Sequence, residues 1–277
     1  MRQQFTTTEA GRLDKVIADH TKLSRKRARK LVEGGGVNIN GQRARFASQA
    51  VPVGAIVRLQ TAAAPTPEFQ VDVCFQDDAI VVVNKPYGLP SQSTKEGNRT
   101  HLYGHLCSKF PYVGLHHRLD TPASGLVLFT LHQQFNKSIA DAFRTHQIDR
   151  HYHVVVVGNP GESGTWDAPI GGKPARTHFK TLSSSQGMSL LEATLETGRT
   201  HQIRIHAAAV GHPIVGDRRH GGSAGKLWPR LALHASQLKF VHPASGEMIT
   251  VSAPIPEDLR GLWEQLAPLC SPDSEAD

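Results

Sequence analysis

The chain has 277 residues, of which 31 are Lys or Arg and 24 are Asp or Glu, with a formal net charge of +7. No stretch approaches the ~18 consecutive apolar residues of a membrane-spanning helix, and the first residues lack the apolar core of a secretory signal. The three cysteines are far apart, which excludes a disulfide framework and is typical of a reducing compartment, so we expect a cytoplasmic protein without membrane contacts.

The positive charge is concentrated in the first 60 residues. They hold 12 Lys or Arg against 4 Asp or Glu, whereas residues 61–277 hold 19 against 20. A basic module joined to a near-neutral body predicts that the module binds a polyanion through its charge and that the body acts on the bound molecule. Nucleic acid is the favoured polyanion, because an anionic membrane surface would also need an apolar anchor.

Two helices and a small sheet are predicted for this basic module. Apolar residues between 13 and 17 have helical spacing, and a second helix is predicted over residues 24–33, with a serine as its N-cap and glycines after its end. A short strand runs into the Asn-Gly turn at 40–41, and another strand follows at 54–59.

The second helix carries most of the positive charge. Six cations and no acid lie in residues 22–30, and like charges at helical spacing oppose folding unless an anion relieves them. RNA phosphate is the anion that we expect, and a solvated charged face is the alternative interpretation. The candidate RNA contacts on this helix are Arg25, Lys26, Arg29 and Lys30.

The same module resembles the small RNA-binding domain named after the fourth protein of the small ribosomal subunit. The matching segments are Arg12-Leu13-Asp14, Ser24-Arg25, Ala28 with Arg29, the run at 36–41 and the strand that begins at Gly54. In that family the second helix and its turn contact the RNA backbone. The resemblance therefore implies the same role for this helix.

Composition divides the chain into four parts. Residues 1–60 are the basic RNA-binding domain, and small residues with two prolines mark a linker at 61–70. The body of the protein is predicted over 71–268, and the acidic, polar end at 269–277 is predicted to be a disordered tail.

The body reads as strands with fewer helices. A buried strand is predicted at 79–83, a helix with one apolar face at 135–143, an alternating strand at 151–156 and another strand at 190–195. The loop after the first of these strands contains Asn84-Lys85-Pro86 and Gly88-Leu89-Pro90, in which proline and glycine force a turn.

The sixteen histidines raise the question of a metal site. No cysteine pair and no His-Glu-X-X-His pattern accompanies them, and no lysine-bearing phosphate loop is present. We predict neither a metal nor a cofactor, and interpret the histidines as hydrogen-bonding residues of the core or as donors that face RNA.

A carboxylate among arginines is the strongest candidate for chemistry. Asp120 lies two residues after Arg118, in a turn that leads into an apolar strand, and a second arginine-rich segment supplies Arg199 and Arg204 as possible partners. A guanidinium within ~4–6 Å lowers the pKa of a carboxyl group by roughly 1–3 units, so the group stays ionised and can act as a nucleophile. By residue type alone, a structural ion pair that ties a turn to a strand fits equally well.

Four segments together resemble the RNA pseudouridine synthases of the RluA type. They agree in order and spacing and span about residues 75–240: Asn84-Lys85-Pro86 with Gly88-Leu89-Pro90, His117-Arg118-Leu119-Asp120 with Ser124-Gly125-Leu126, Arg150-His151-Tyr152, and the stretch from Glu196 through Arg204 to Asp217.

This resemblance implies roles for single residues. Asp120 matches the catalytic aspartate, which attacks a flipped-out uridine either at C1′ of the sugar or at C6 of the base. Tyr152 matches the tyrosine that packs against the target base and that can handle the proton at C2′ of the sugar. Arg204 matches the basic partner of the aspartate. Arg118 matches the side chain that fills the stack vacated by the extruded base. Supporting or RNA-contacting roles fall to Lys85, Arg199, His201 and Gln202.

One position departs from the family pattern. Ala123 stands where the family usually has threonine, with Pro122 before it. The missing hydroxyl removes one hydrogen bond worth ~0.5–1.5 kcal/mol net, and the proline stiffens the loop. We expect retained activity with an altered substrate fit.

The sequence therefore predicts an α+β protein. A small two-helix RNA-binding domain with a short sheet precedes a larger catalytic domain, which is built on a mixed, mainly antiparallel sheet with flanking helices. We expect it to isomerise uridine to pseudouridine in structured RNA, with ribosomal RNA favoured over transfer RNA. We expect a monomer without an obligate protein partner. The alternative is a non-catalytic RNA-binding or ribosome-assembly protein.

Overall fold

The computed structural model describes residues 2–33, 36–44, 46–60, 70–93 and 100–266. The chain forms two compact units. The first comprises Met1–Gln70 with Pro90–Lys109, and the second comprises Val71–Leu89 with Phe110–Asp277. Of the predicted linker only Gln70 is described, and the predicted tail lies outside the described residues. The four-part division of the chain therefore stays a prediction.

The described part of the first unit contains short strands and helices. In chain order they are β1 (Arg2–Thr6), β2 (Gly11–Arg12), α1 (Leu13–His20), α2 (Arg25–Glu33), β3 (Val37–Ile39), β4 (Gln42–Arg43), β5 (Ala50–Val51), β6 (Ile56–Gln60) and α3 (Leu102–Lys109). A four-stranded antiparallel sheet has the order β1-β6-β3-β4, and β2 pairs with β5.

The two predicted helices of the basic module pack on one apolar core. Leu13 and Ile17 of α1 and Val32 of α2 are buried together against the sheet. The Ser24 hydroxyl accepts the backbone N–H of Arg27 at 3.3 Å, as its predicted N-cap position requires. The sequence missed strand β1, because its pairing with β6 joins residues at least fifty positions apart.

The second unit contains the larger set of elements. They are β7 (Asp72–Gln76), β8 (Ile80–Lys85), β9 (Gly114–Leu115), β10 (Ser124–Thr130), α4 (Asn136–Arg144), β11 (Asp149–Val157), β12 (Ser163–Trp166), β13 (Thr177–Ser185), β14 (Met188–Leu195), α5 (Gln202–Ala209), β15 (Leu233–Val241), β16 (Met248–Ser252) and α6 (Glu257–Glu264). Among the helices described in either unit, none has the length and apolar character to cross a bilayer.

The strands of the second unit form one twisted mixed sheet. Its order is β12-β13-β14-β11-β15-β10-β8-β7, with β16 beside β15 and β9 beside β10. The contact between β10 and β15 is parallel, and the other pairings in this sheet are antiparallel. The predicted α+β architecture with a mainly antiparallel sheet is confirmed.

The centre of this sheet positions two loops. Strands β8 and β10 are buried along nearly their whole length, which is why their sequences are almost continuously apolar. Ile139 of α4 packs on them with Leu128 and Phe240. Because β8 ends at Lys85 and β10 begins four residues after Asp120, the loops at this edge meet over the core.

Two local features shape the backbone at this edge. Gly125 has a φ of 114°, and a Cβ atom built on it would lie 2.3 Å from the carbonyl oxygen of Ala235, so only glycine fits the parallel contact of β10 with β15. The pairing of β11 with β15 shifts register between His151 and Tyr152. Irregularities of this kind re-aim side chains, and here the side chain is that of Tyr152.

Candidate active site

Asp120 lies in a turn whose backbone carbonyl groups bind the buried side chain of Lys85. The carbonyl of Asp120 accepts the N–H of Ala123 at 3.1 Å. The Lys85 ammonium, wholly buried, donates to the carbonyl oxygens of Leu89 at 2.8 Å, Thr121 at 3.4 Å and Ala123. Lys85 therefore ties the end of β8 to the Asp120 turn.

Burial, helped by the charge of Arg230 and opposed by Asp120, lowers the pKa of Lys85 to about 7. Of the two roles that the sequence left open for this lysine, its burial favours the supporting one over a contact with RNA.

Arg204 is held between two carboxylates. Its Nη1 donates to Oδ2 of Asp120 at 2.9 Å, while Nε and Nη2 donate to the two oxygens of Asp217 at 2.8 and 2.7 Å. The side chain of Arg204 is 5% exposed, that of Asp217 1% and that of Asp120 21%. Burial alone would lower the pKa of Arg204, but the bonds to both carboxylates outweigh it and raise the pKa. The guanidinium is a fixed positive charge beside a partly open carboxylate.

Asp217 anchors this arrangement, and sequence reasoning gave it no role. Besides gripping Arg204 it accepts the backbone N–H groups of Arg219 at 3.0 Å and His220 at 3.1 Å. Burial would raise the pKa of Asp217, but the Arg204 bonds and these two N–H groups lower it below its ordinary value. The only signal in the sequence was its position at the end of the last matching segment.

His201 approaches the other oxygen of Asp120. Its Nε2 lies 3.7 Å from Oδ1 of Asp120, and its Nδ1 lies 3.0 Å from Nε2 of His220. Burial lowers the pKa of His201 against the opposing charge of Asp120. His201 precedes α5 with a φ of 58°, a left-handed conformation that residues other than glycine adopt rarely.

The remaining predicted residues of this segment bond groups other than Asp120. Arg199 is exposed and its Nε donates to the carbonyl of Pro174 at 3.0 Å, so Arg204 and not Arg199 is the partner of Asp120. Gln202 is buried and its amide bridges Thr197 and Arg176, which favours a supporting role.

Arg118 and Tyr152 flank the site in different environments. Arg118 is exposed, and its Nη2 donates to the hydroxyl of Thr200 at 3.2 Å. Tyr152 is buried, and burial raises its pKa, with Arg150 lowering it and the charge of Asp120 raising it further. An exposed arginine and a buried aromatic ring next to one carboxylate are compatible with insertion into a base stack and with packing against a base.

A cavity of about 510 Å³ lies at the opposite ends of the same strands. Its lining includes Asp77, His132, Phe135 and His242, none of which belongs to the Asp120 cluster. Asp77 precedes β8 and His242 follows β15, whereas Lys85 and His234 lie at the Asp120 edge. This cavity is therefore separate from the Asp120 cluster.

The first unit contains its own arginine–aspartate cluster. The buried Asp14 carboxylate lies 3.2 Å from Nε of Arg12, 3.1 Å from Nη2 of Arg25 and 3.6 Å from Nη2 of Arg29. Hydrogen bonding to Arg12 and Arg25 outweighs desolvation and holds the pKa of Asp14 far below its ordinary value. The sequence assigned relief of the helix's charge repulsion to RNA, whereas Asp14 relieves part of it within the protein.

Although paired, these arginines stay available to solvent. The side chains of Arg12, Arg25 and Arg29 are more than half exposed. Lys26 and Lys30 of α2 are also exposed. Their contact with RNA remains a prediction.

Two solved structures share the fold of about seven tenths of this chain. The chain is 24% identical to the human RNA Pseudouridylate Synthase Domain Containing 1, with a TM-score of 0.59 over 72% of this chain and 89% of that one. It is also 24% identical to the human RNA Pseudouridylate Synthase Domain Containing 4, with a TM-score of 0.56 over 69% and 93%. These likenesses establish the fold.

Sequence comparison establishes the family. Residues 79–209 match the family described as RNA pseudouridylate synthase, and residues 11–57 match the S4 domain. The chain is 37% identical to an "Uncharacterized RNA pseudouridine synthase" of Chloroflexus aurantiacus, over 94% of this chain and 91% of that protein. It is 34% identical to "Ribosomal large subunit pseudouridine synthase D" of Xanthomonas campestris, over 92% and 88%. The chain belongs to the RNA pseudouridine synthase family, as the four segments predicted, and carries an RNA-binding S4 domain.

Proposed function

We propose that this pseudouridine synthase uses Asp120 as a nucleophile on a uridine flipped out of structured RNA. The observation that carries the proposal is the pairing of a partly exposed Asp120 carboxylate with a buried, doubly anchored Arg204. The guanidinium binds one oxygen of the carboxylate and fixes its position, while the exposure of Asp120 leaves it open to a substrate.

The proposed reaction is an isomerisation within one nucleotide. The bond between N1 of uracil and C1′ of the sugar breaks, a bond between C5 and C1′ forms, and the proton on C5 is lost as N1 gains one. Asp120 bonds transiently either to C1′ or to C6 and leaves as a carboxylate, so no electrons pass to an acceptor. The reaction as written therefore calls for neither a metal nor a cofactor.

Three side chains assist in this proposal. Arg204 holds Oδ2 of Asp120 and stabilises its charge when it leaves. The buried ring of Tyr152 packs against the extruded base. The exposed Arg118 fills the gap that the base leaves in the stack, since extrusion costs a few kcal/mol of stacking and pairing that an inserted side chain offsets.

Ribosomal RNA is the proposed substrate. A relative that covers most of the chain bears the name of a large ribosomal subunit pseudouridine synthase, and the basic S4 domain supplies affinity for structured RNA. Transfer RNA is the second candidate, because phosphate contacts position a protein without specifying a sequence. A cytoplasmic location and a monomeric state stay predictions.

The test is chemical mapping of pseudouridine in ribosomal and transfer RNA from cells that carry Asp120→Asn in place of the wild-type chain. We expect one or a few pseudouridines to disappear, and the RNA in which they disappear identifies the substrate. Asp141→Asn, a change at a half-exposed carboxylate of α4 that pairs with Arg144, is the matched control. Unchanged modification at every site in the Asp120→Asn cells would overturn the proposal and favour a non-catalytic RNA-binding protein.

A further inference from the structure

Two histidines next to Asp120 form a pair that the proposed chemistry does not yet use. His201 Nδ1 and His220 Nε2 are 3.0 Å apart, and the rings meet edge to face at 68°. The other nitrogen of His201, Nε2, lies 3.7 Å from Oδ1 of Asp120. The three side chains thus form a row that ends on the carboxylate oxygen opposite to the one that Arg204 binds.

The row has only one arrangement of protons that suits both contacts. A hydrogen bond between two neutral imidazoles needs an N–H on one ring and a lone pair on the other. If Nδ1 of His201 were the donor, the lone pair on its Nε2 would face the Asp120 carboxylate and repel it. If Nε2 of His220 is the donor, the proton of His201 lies on Nε2 and points toward Asp120.

The surroundings of both rings favour their neutral forms. Burial lowers the pKa of His201 and of His220, and the charges of Arg204 and Arg219 lower both further. Asp120 opposes the shift at both rings, and Asp217 opposes it at His220. The choice between the two arrangements is therefore a choice of tautomer and not of charge.

The backbone holds both rings in place. His220 donates its backbone N–H to Asp217, which also grips Arg204. His201 is kept in a left-handed conformation, which persists only where the surrounding structure demands it. Asp217 thus orients both groups that face Asp120, Arg204 directly and His201 through His220.

We propose that His220 is a positioning residue: its Nε2–H fixes His201 in the tautomer that turns Nε2–H toward Oδ1 of Asp120. This proposal rests on the proposed role of Asp120. Arg204 hydrogen-bonds Oδ2 at 2.9 Å and Nε2 of His201 lies 3.7 Å from Oδ1, so the two side chains face the carboxylate from opposite sides. The same two donors stabilise the carboxylate when its bond to the substrate breaks.

The direct test is the tautomer of His201, read from ¹⁵N chemical shifts of the imidazole rings in the full-length protein near pH 7.5. We expect the wild-type protein to carry the His201 proton on Nε2. His220→Phe keeps a ring but removes the donor, so His201 should shift to a mixture of tautomers. His220→Gln keeps an N–H donor and should preserve the Nε2–H tautomer.

The second measurement is the single-turnover rate and the KM for RNA of the same variants. We expect His220→Phe to slow the chemical step about threefold to tenfold at unchanged KM, because one hydrogen bond of ordinary strength is at stake. His220→Gln should recover most of that loss. Thermal unfolding of both variants confirms that they fold alike.

Three results would overturn the proposal. One is a wild-type His201 with its proton on Nδ1 or on both nitrogens, and another is a tautomer that His220→Phe leaves unchanged. The third is an equal loss in the Phe and Gln variants with a raised KM, which would make His220 an RNA contact. Full activity of Asp120→Asn would instead refute the nucleophile and leave the tautomer result standing on its own.

Discussion

The two units of the protein each contain an arginine–aspartate cluster. Arginines outnumber aspartates in one cluster, and aspartates outnumber arginines in the other. In the S4 unit one buried carboxylate, Asp14, faces three guanidinium groups whose side chains are more than half exposed. In the synthase unit one buried guanidinium, Arg204, faces the two carboxylates of Asp120 and Asp217.

The difference shows how the same two residue types serve different ends. An excess of guanidinium groups leaves N–H donors free for phosphate oxygens, while the shared carboxylate keeps the cations from repelling one another. An excess of carboxylate leaves one anionic oxygen that the guanidinium does not bind, and this oxygen belongs to Asp120, the proposed nucleophile. The single group is buried in both clusters. All three arginines of the S4 cluster are exposed, whereas only Asp120 of the two carboxylates in the synthase cluster is partly exposed.

The largest expected effect on stability and activity comes from removing Arg204, the single guanidinium of the synthase cluster. Arg204→Met should lower the free energy of unfolding by about 3 kcal/mol or more, because Asp217 is left as an unpaired buried charge. The single-turnover rate should fall at least ~100-fold, since Asp120 loses its cationic partner. Urea unfolding and single-turnover kinetics measure the two effects.

Arg199→Met is the matched control, because Arg199 is an exposed arginine of the same segment. We expect it to change the free energy of unfolding by less than ~0.5 kcal/mol. Equal stability of the two variants would contradict the assignment of Arg204 as a buried, doubly paired charge.

A smaller effect, on RNA binding, is expected from removing arginines of the S4 cluster. Arg25→Gln together with Arg29→Gln should weaken RNA binding about tenfold at moderate salt and should lower the slope of log Kd against log salt by up to ~2, one for each lost phosphate contact. The single-turnover rate at saturating RNA should not change, because these residues lie in the other unit. Filter binding over a salt series measures the slope.

Lys180→Gln serves as the control for loss of one positive charge, because Lys180 is an exposed lysine of β13. If that variant reduces the salt slope as much as the substitutions on α2 do, RNA binding is not localised to α2.

The smallest effect concerns acid sensitivity in the synthase unit. His234 is fully buried beside Ser124, and burial with the charge of Arg230 lowers its pKa to about 4. The unfolded chain therefore binds more protons than the folded one between pH 6.5 and 4, and stability falls as the pH is lowered through this window. We expect His234 to account for about 1 kcal/mol of the loss between pH 6.5 and 5.5.

His234→Asn keeps a polar group for Ser124 and removes the titration. Urea midpoints at pH 7.5, 6.5 and 5.5 should therefore fall less in this variant than in the wild-type protein. Parallel pH curves for the two proteins would show that His234 is not the residue that titrates.

Much of this arrangement was accessible from the sequence, for identifiable reasons. Strand β8 and the apolar strand that follows Asp120, β10, could be predicted from the sequence. Both strands are buried on both faces, and such strands have nearly continuous apolar sequences. The residue types alone left Arg199 and Arg204 equally good as partners of Asp120. The family resemblance favoured Arg204, and α5, which begins at Gln202, gives the physical reason, because Arg204 on this helix is buried and bonds Asp120.

Other features depend on contacts that no local pattern encodes. The acid that relieves the charge of α2 lies on α1, outside the segment whose charges suggested repulsion. A lysine is normally a surface residue, so the burial of Lys85 among carbonyl groups could not be read from its neighbours. Asp217 and His220 act through Arg204 and His201, and such indirect partners have no motif of their own.

The glycine at position 125 limits how far this protein can vary. Since a methyl group there would collide with the backbone of Ala235, any larger residue must wedge β10 away from β15. Asp120 lies just before β10 and would move with it, whereas Arg204 is held by Asp217. A substitution at position 125 would therefore lengthen the hydrogen bond between Asp120 and Arg204 without altering either residue. The distance between Asp120 and Arg204 therefore depends on one main-chain contact, that of Gly125 with Ala235. We expect position 125 to tolerate no substitution, even where other positions of the sheet accept one.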